Sequence, residues 1–352
     1  MREVKYLSPT SISTWKADRT EFFFRYLADD RPERLPQTRP MSVGSAFDAY
    51  VKAYLVERLF KSTDVDGVDY SLEHLFEQQV EPHNRDWAWV AGREAMELYR
   101  ASGALADLCL ELDAASSEPR FEFKVEGRVS HQKVTDGVPF LGRPDLYFTI
   151  ETRDSDGRVY ITHVIIDWKV NGWCARRAPS PVKGYKMCRT WRYGLKKEHK
   201  AYLASCMAQD MGLDYGKGAF VRSQHKDAVI MRSGGIEIDV AHKMEELNLG
   251  WATQETIYAW VLGVRPGEEF VCGIDQLVGR SRVSSLRNRV SSTFQLALLT
   301  EAADIWTRIR GGFIFDEDNE ERIEMLSAYA EGYRKDDSEH RDWLEGIIRG
   351  RR

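Results

Sequence analysis

YITHVIIDWKV, residues 160–170, decides how the rest of the chain is read. β-Branched and aromatic side chains dominate it, which suits a strand. Successive strand side chains point to opposite faces. Tyr160, Thr162, Val164, Ile166 and Trp168 then share one face, and Ile161, His163, Ile165, Asp167 and Lys169 share the other. An acid and a lysine therefore project side by side from the end of an otherwise apolar strand. Residues 139–150 have the same character, and DSDGR at 154–158 places an Asp-Gly turn signal between the two segments. Residues 141–170 read as a β-hairpin in a mixed sheet. Folding about residue 156 sets Asp145 opposite Asp167, each eleven residues away. A strict two-residue Asp156-Gly157 loop would shift the pairing by one and turn Asp145 to the wrong face. The expectation is an odd-numbered loop or a bulge between residues 150 and 159.

Two acids on one face suit a hard cation, and magnesium takes few of its oxygen ligands from protein. Such an ion polarises a phosphoryl oxygen and activates water. An adjoining lysine offers positive charge to a developing pentavalent phosphate. Asp145, Asp167 and Lys169 are thus the minimum equipment for phosphodiester hydrolysis. The plainer alternative is a structural salt bridge at a sheet end, although burying such a set is a weak source of stability.

Upstream, Ser8, Pro9 and Thr10 are helix-start residues, and residues 8–27 carry an apolar side made of Ile12, Trp15, Phe22, Phe23 and Tyr26. A Pro-containing connector at 28–40 follows. Residues 43–60 read as a second helix, whose small Gly44-Ser45-Ala46 run allows close approach to a sheet. Asp48 shares a face with Val51 and Leu55, and a carboxylate there needs a partner. Residues 69–118 look mostly helical, and 121–129 alternate as a strand would. His163 reads as a satisfied core histidine, and Glu122 and Glu126 as solvated strand residues. Downstream, a helix is expected at about 197–212, strands near 218–223 and 229–239, and a predominantly helical remainder with a break at Gly311-Gly312.

Pro144-Asp145, a spacer and then Asp167-Trp168-Lys169 resemble the signature of the PD-(D/E)XK nuclease superfamily. LSPTSISTW at 7–15 and MSVGSAFDAY at 41–50 resemble the opening motifs of its RecB-type and phage-exonuclease branch, followed in order by GRPDLYF at 142–148 and VIIDWKVNGW at 164–173. The resemblance covers roughly residues 7–223. It implies an α/β, restriction-endonuclease-like core, with a small mixed sheet flanked by helices. The nuclease-like part would span 1–240 (helical 1–118, catalytic sheet 119–240), with a helical C-terminal extension at 241–352. It implies Mg²⁺ or Mn²⁺ held by Asp145, Asp167 and the backbone carbonyl of Trp168, with Lys169 catalytic. Asp48 stands where the branch normally has a metal-binding histidine, and the resemblance implies that its carboxylate is a further metal ligand, an oxygen that suits Mg²⁺ or Mn²⁺. The branch often carries a Gln-x-x-x-Tyr motif on the helix after the sheet, and EHKAYLASCMAQ at 198–209 contains no such pair. Residues 15–25 lack cysteine, so no iron–sulfur cluster is expected. The implied activity is DNA hydrolysis in recombination, repair or phage DNA metabolism, exonucleolytic first and endonucleolytic second. A recombination or replication protein is a further implied partner. The alternative is a catalytically idle nuclease fold that binds DNA or a protein.

With a net charge of −5 and a pI of about 6.0, nucleic acid would be met by local patches rather than the whole surface. The segment 174–200 offers one. Arg176, Arg177, Lys183, Lys186, Arg189, Arg192, Lys196, Lys197 and Lys200 are interleaved with Trp173, Tyr185, Trp191 and Tyr193, and Tyr202 follows. Cations neutralise phosphates and aromatic rings stack on unpaired bases. The alternative is a solvated loop. GRSRVSSLRNR at 279–289 reads as a solvated helix face or an extension of the same track. Five cysteines without a C-x-x-C spacing argue for free thiols in a reducing cytoplasm, that of the host if the chain is phage-encoded. No apolar h-region opens the sequence, and no apolar run approaches the ~20 residues that span a bilayer, so no membrane partner is expected.

Overall fold

Ser8 and Ser11 start the first helix, α1 (Pro9–Ala17), by a reciprocal exchange. The Ser8 hydroxyl accepts from the Ser11 N–H at 3.1 Å, and the Ser11 hydroxyl accepts from the Ser8 N–H at 2.7 Å. The structure is a computed structural model that describes residues 1–30, 35–121, 123–132, 134–153, 157–175, 219–222, 229–233, 236–239, 249–268, 270–290 and 292–334. Asp18 ends α1 and caps α2 (Arg19–Phe22), which runs into a π turn at Phe23–Leu27. α3 (Arg39–Phe60) begins before the apolar periodicity does, because Pro40 is tolerated in a first helical turn. A two-stranded ribbon, β1 (Asp64–Val65) and β2 (Val68–Asp69), leads to α4 (Leu72–Gln79), α5 (Arg85–Ala101) and α6 (Ala104–Asp113).

Five strands then appear before residue 172: β3 (Arg120–Phe121), β4 (Val125–His131), β5 (Val134–Gly142), β6 (Leu146–Arg153) and β7 (Val159–Asn171). β6 and β7 pair antiparallel from Leu146↔Ile166 to Arg153↔Val159. With Arg153 paired to Val159, the same register carried past Leu146↔Ile166 sets position 145 opposite 167, as the sequence argument required. The first arm of that hairpin is shorter than expected. Residues 134–142 pair with β4 instead, and the chain breaks at Arg143-Pro144. Proline has no N–H for a ladder and restricts the residue before it.

β8 (Ala219–Arg222), β9 (Val229–Ser233) and β10 (Ile236–Asp239) form a three-stranded sheet, so the single strand expected over 229–239 is two. After α7 (Leu249–Val261) the expectation of a helical extension fails. β11 (Val271–Val278) and β12 (Arg282–Arg289) join the main sheet, whose order is β12-β11-β7-β6-β3. β11 runs parallel to β7 with Ile274 beside Asp167, and the remaining neighbours are antiparallel. The stretch 279–289, expected on a helix, thus supplies β12. α8 (Ser292–Arg310) stops at the Gly311-Gly312 break, and α9 (Asn319–Arg334) follows. The mixed sheet is flanked by helices, as expected of the fold class.

One sheet face is covered by α3, α5 and α6. Phe47, Val51, Leu55, Tyr99, Leu105 and Leu108 pack there on Leu146, Phe148, Val164, Ile166 and Trp168. Across the sheet, Ala252, Tyr258 and Ala259 of α7 lie on Ile165, Cys272 and Ile274. A third cluster joins α1, α2 and the π turn to β4–β5, α7 and α8 through Trp15, Phe22, Phe23, Val129, Phe140, Trp260 and Leu298. Of the small residues of α3, Ala46 meets a helix rather than the sheet. A Cβ built on Gly92 of α5 would stand 2.7 Å from the Ala46 Cβ. Among the described residues no helix is long and apolar enough to cross a membrane.

Candidate active site

The hairpin register delivers its two acids to one place. Asp145 sits one residue before β6 and opposite Asp167, and its Oδ2 accepts a hydrogen bond from the Trp168 N–H at 3.2 Å. Lys169, two residues on, forms a salt bridge with Asp167. Asp167 is buried, whereas Asp145 and Lys169 are partly open to solvent. Trp168 turns its ring to the other face, among the residues packed beneath α3 and α5.

The helical layers approach this strand end from both sides. From α3, Lys52 reaches Asp48 Oδ2 at 2.6 Å and Asp145 Oδ1 at 3.9 Å, and its side chain is only 1% exposed. The carboxylate that the sequence said must have a partner has found it one helical turn on. From α7, the Gln254 amide bridges the other pair. Its Nε2 donates to Asp167 Oδ1 at 2.6 Å and to the Tyr258 hydroxyl at 3.2 Å, while its Oε1 accepts from Lys169 Nζ at 3.3 Å. Glu255, next on the helix, is fully buried, and neither of its oxygens has a hydrogen-bond partner among the described residues.

Electrostatics follow from this crowding. The Asp167 carboxyl is pushed up to about 7, raised first by burial and also by the adjacent Asp145, against the pull of Lys169 downward. Burial works against the Lys169 charge, but Asp167 and Asp145 outweigh it and hold the ammonium above its ordinary range. Glu255 is raised well above a normal carboxyl by burial and by the charge of Asp167. Tyr258 is raised by burial and by the same acid, so its hydroxyl keeps its proton.

Asp145, Asp167, Lys169 and Trp168 therefore come together as the sequence indicated, and Asp48 joins them through Lys52. Gln254, Glu255, Tyr258 and Lys52 were missed. The signal for two of them was present. Gln254 and Tyr258 have the Gln-x-x-x-Tyr spacing, but on a helix far beyond the one expected to carry it. Lys52 stands four residues after Asp48, the spacing of a helical ion pair. Arg176, Arg177, Lys183, Lys186, Arg189, Arg192, Lys196, Lys197, Lys200 and Tyr202 lie outside the described residues. His163 is satisfied as expected, with the Tyr147 hydroxyl 2.7 Å from Nδ1. Glu126 is exposed and pairs with Lys124, while Glu122 lies outside the described residues.

Could these residues hold a metal? The buried Asp167 carboxyl is raised by burial and by the neighbouring Asp145, and a divalent cation between the two carboxyls would relieve both effects. The donor set is all oxygen, which suits Mg²⁺ or Mn²⁺. Among the described residues no three His, Cys, Asp or Glu side chains are grouped so as to hold an ion. The fit is therefore to an ion taking two carboxylates from the protein and the rest of its shell from water or substrate.

A separate charged network lies beneath the other face. Asp275, beside Trp168 in the β11–β7 register, receives the Tyr99 hydroxyl at 2.5 Å and Arg287 Nη1 at 2.8 Å. Arg287 Nε also donates to Glu111 at 2.9 and 3.0 Å. This network ties α5 and α6 to β11 and β12 without touching the acids at the strand end.

Compared with known proteins, the chain matches no family model, no curated relative and no solved structure.

Proposed function

We propose that this protein is a divalent-cation-dependent deoxyribonuclease of the PD-(D/E)XK kind, an exonuclease before an endonuclease. The observation that carries the reading is the meeting of Asp145 and Asp167 at the ends of paired strands, with Lys169 salt-bridged beside them. Asp145 and Asp167, with the Trp168 carbonyl, would hold Mg²⁺ or Mn²⁺. The ion when bound supplies Lewis acidity at the phosphoryl group and charge for the leaving oxygen. Lys169 keeps its proton on Nζ and presents a fixed positive charge to the phosphate as its own charge grows. Gln254 fixes the rotamers of Asp167 and Lys169 together. The Tyr258 hydroxyl, protonated throughout, holds the Gln254 amide in turn.

The lack of a three-acid group among the described residues favours a second reading, an idle nuclease fold that binds DNA or a protein. One experiment separates the two. The protein is incubated with linear and closed circular DNA in Mn²⁺ or in EDTA, beside Lys169→Ala. Cleavage of linear DNA that needs Mn²⁺ and vanishes in the alanine variant is the expected result, and sparing of the circle marks an exonuclease. Cleavage that survives in Lys169→Ala, or none by the unaltered chain, removes the assignment.

A further inference from the structure

Two acid–lysine pairs meet at this strand end, and they differ. Lys169 lies with Asp167 on the sheet and is partly open to solvent. Lys52 comes from the middle of α3, and almost none of its side chain is exposed. Its Nζ lies 2.6 Å from Asp48 Oδ2 and 3.9 Å from Asp145 Oδ1. The other oxygen of Asp145 faces the Trp168 N–H. The ammonium thus stands between a helix carboxylate and a strand-end carboxylate, the position an ion shared by those acids would take. A lysine at that depth has given up its water, and opposite charge close on two sides is what offsets the loss. Asp167 is joined to Lys169 and Gln254.

We propose that Lys52 is a resident cation that occupies the Asp48–Asp145 half of the site, so that a divalent ion is confined to the Asp145–Asp167 half and Asp48 is not a ligand. The proposal rests on the nuclease reading only for the identity of that second half. Lys52 is a positioning residue here. It fixes Asp145 whether or not an ion is bound, and it lowers by one the number of ions the acids can take.

The test counts Mn²⁺ bound to the full chain without DNA, by electron paramagnetic resonance of the free ion, and follows the thermal midpoint with Mn²⁺. Lys52→Met keeps bulk and removes the charge. It is expected to bind one Mn²⁺ more than the unaltered protein and to gain more thermal stability from the ion. Asp48→Asn combined with Lys52→Met is expected to lose the extra ion, because the second carboxylate is gone. Equal counts in Lys52→Met and the unaltered chain overturn the proposal. So does an extra ion that persists in the double variant, or a Lys52→Met chain that stays unfolded even in saturating Mn²⁺. The nuclease reading fails separately. An unaltered chain that binds no Mn²⁺ ends that reading, yet one ion gained by Lys52→Met would still support the role of Lys52. An unaltered chain that cuts DNA while Lys52→Met gains no ion removes this proposal alone.

Discussion

Gln254 holds the site from outside the strand that bears it, and its amide touches Asp167, Lys169 and Tyr258 together. Replacing a group that orients a ligand commonly costs ~10–100-fold in metal affinity or activity. Gln254→Ala is expected to lower Mn²⁺ affinity or DNA cleavage by about that factor, and unchanged values in both would remove it from the machinery. Asp167 carries a pH consequence. Its folded pKa of about 7 exceeds the ordinary 3.8, so between those values the folded chain binds a proton that the unfolded chain has released. Stability without a divalent ion should therefore be full below the lower value and decline as pH rises through the upper one. Thermal midpoints in EDTA across that range should fall, and the fall should shrink in Asp167→Asn. A profile no flatter in the variant would assign the effect elsewhere. On the opposite face, Tyr99→Phe leaves Asp275 with one partner fewer and should cost ~1–3 kcal/mol in denaturant unfolding. DNA cleavage should be little changed, since that network does not reach the acids.

Among the elements, the β6–β7 hairpin was legible because alternation and loop parity both constrain it. β-Branched and aromatic residues run along β7, and only an odd loop puts Asp145 across from Asp167. β11 was illegible for the opposite reason. Ile274 packs beneath α7 and Leu277 packs beneath the other helical layer, so both faces are buried and no alternation marks the strand. Gln254 and Tyr258 were overlooked because the helix bearing them follows β7 only after the long stretch 172–248. Lys52 was passed over because a lysine on a helix is usually solvated, and only the fold shows that its end is enclosed. The contact of α3 with α5 allows a direct test. Gly92→Ala gains helix propensity, but its new Cβ would press on Ala46, and overpacking commonly costs ~1–3 kcal/mol. A lower denaturant midpoint is expected, and an unchanged or higher one would mean that the two helices part without cost.

For the molecule as a whole, β7 is enclosed between β6 on one side and β11 on the other. The C-terminal third is therefore structural to the main sheet, to which β11 and β12 beyond residue 240 belong. A chain ended there would lose α7, β11 and β12, exposing an edge of β7 and the apolar face at Ile165 that α7 covers. Such a fragment is expected to aggregate or to lack a cooperative unfolding transition by circular dichroism, and a cooperative melt would show that the first 240 residues suffice.

The amide that bridges the acid and the lysine follows Lys169 by 85 residues in the chain. On a ribosome, the hairpin emerges early and closes locally, whereas Gln254 and the strand that seals the far side of β7 arrive much later. A nascent polypeptide thus carries its charged trio through the addition of 85 further residues before the amide that holds it still is made. The trio is braced only once residue 254 has been made, and a copy interrupted before that point lacks the amide that joins Asp167 to Lys169.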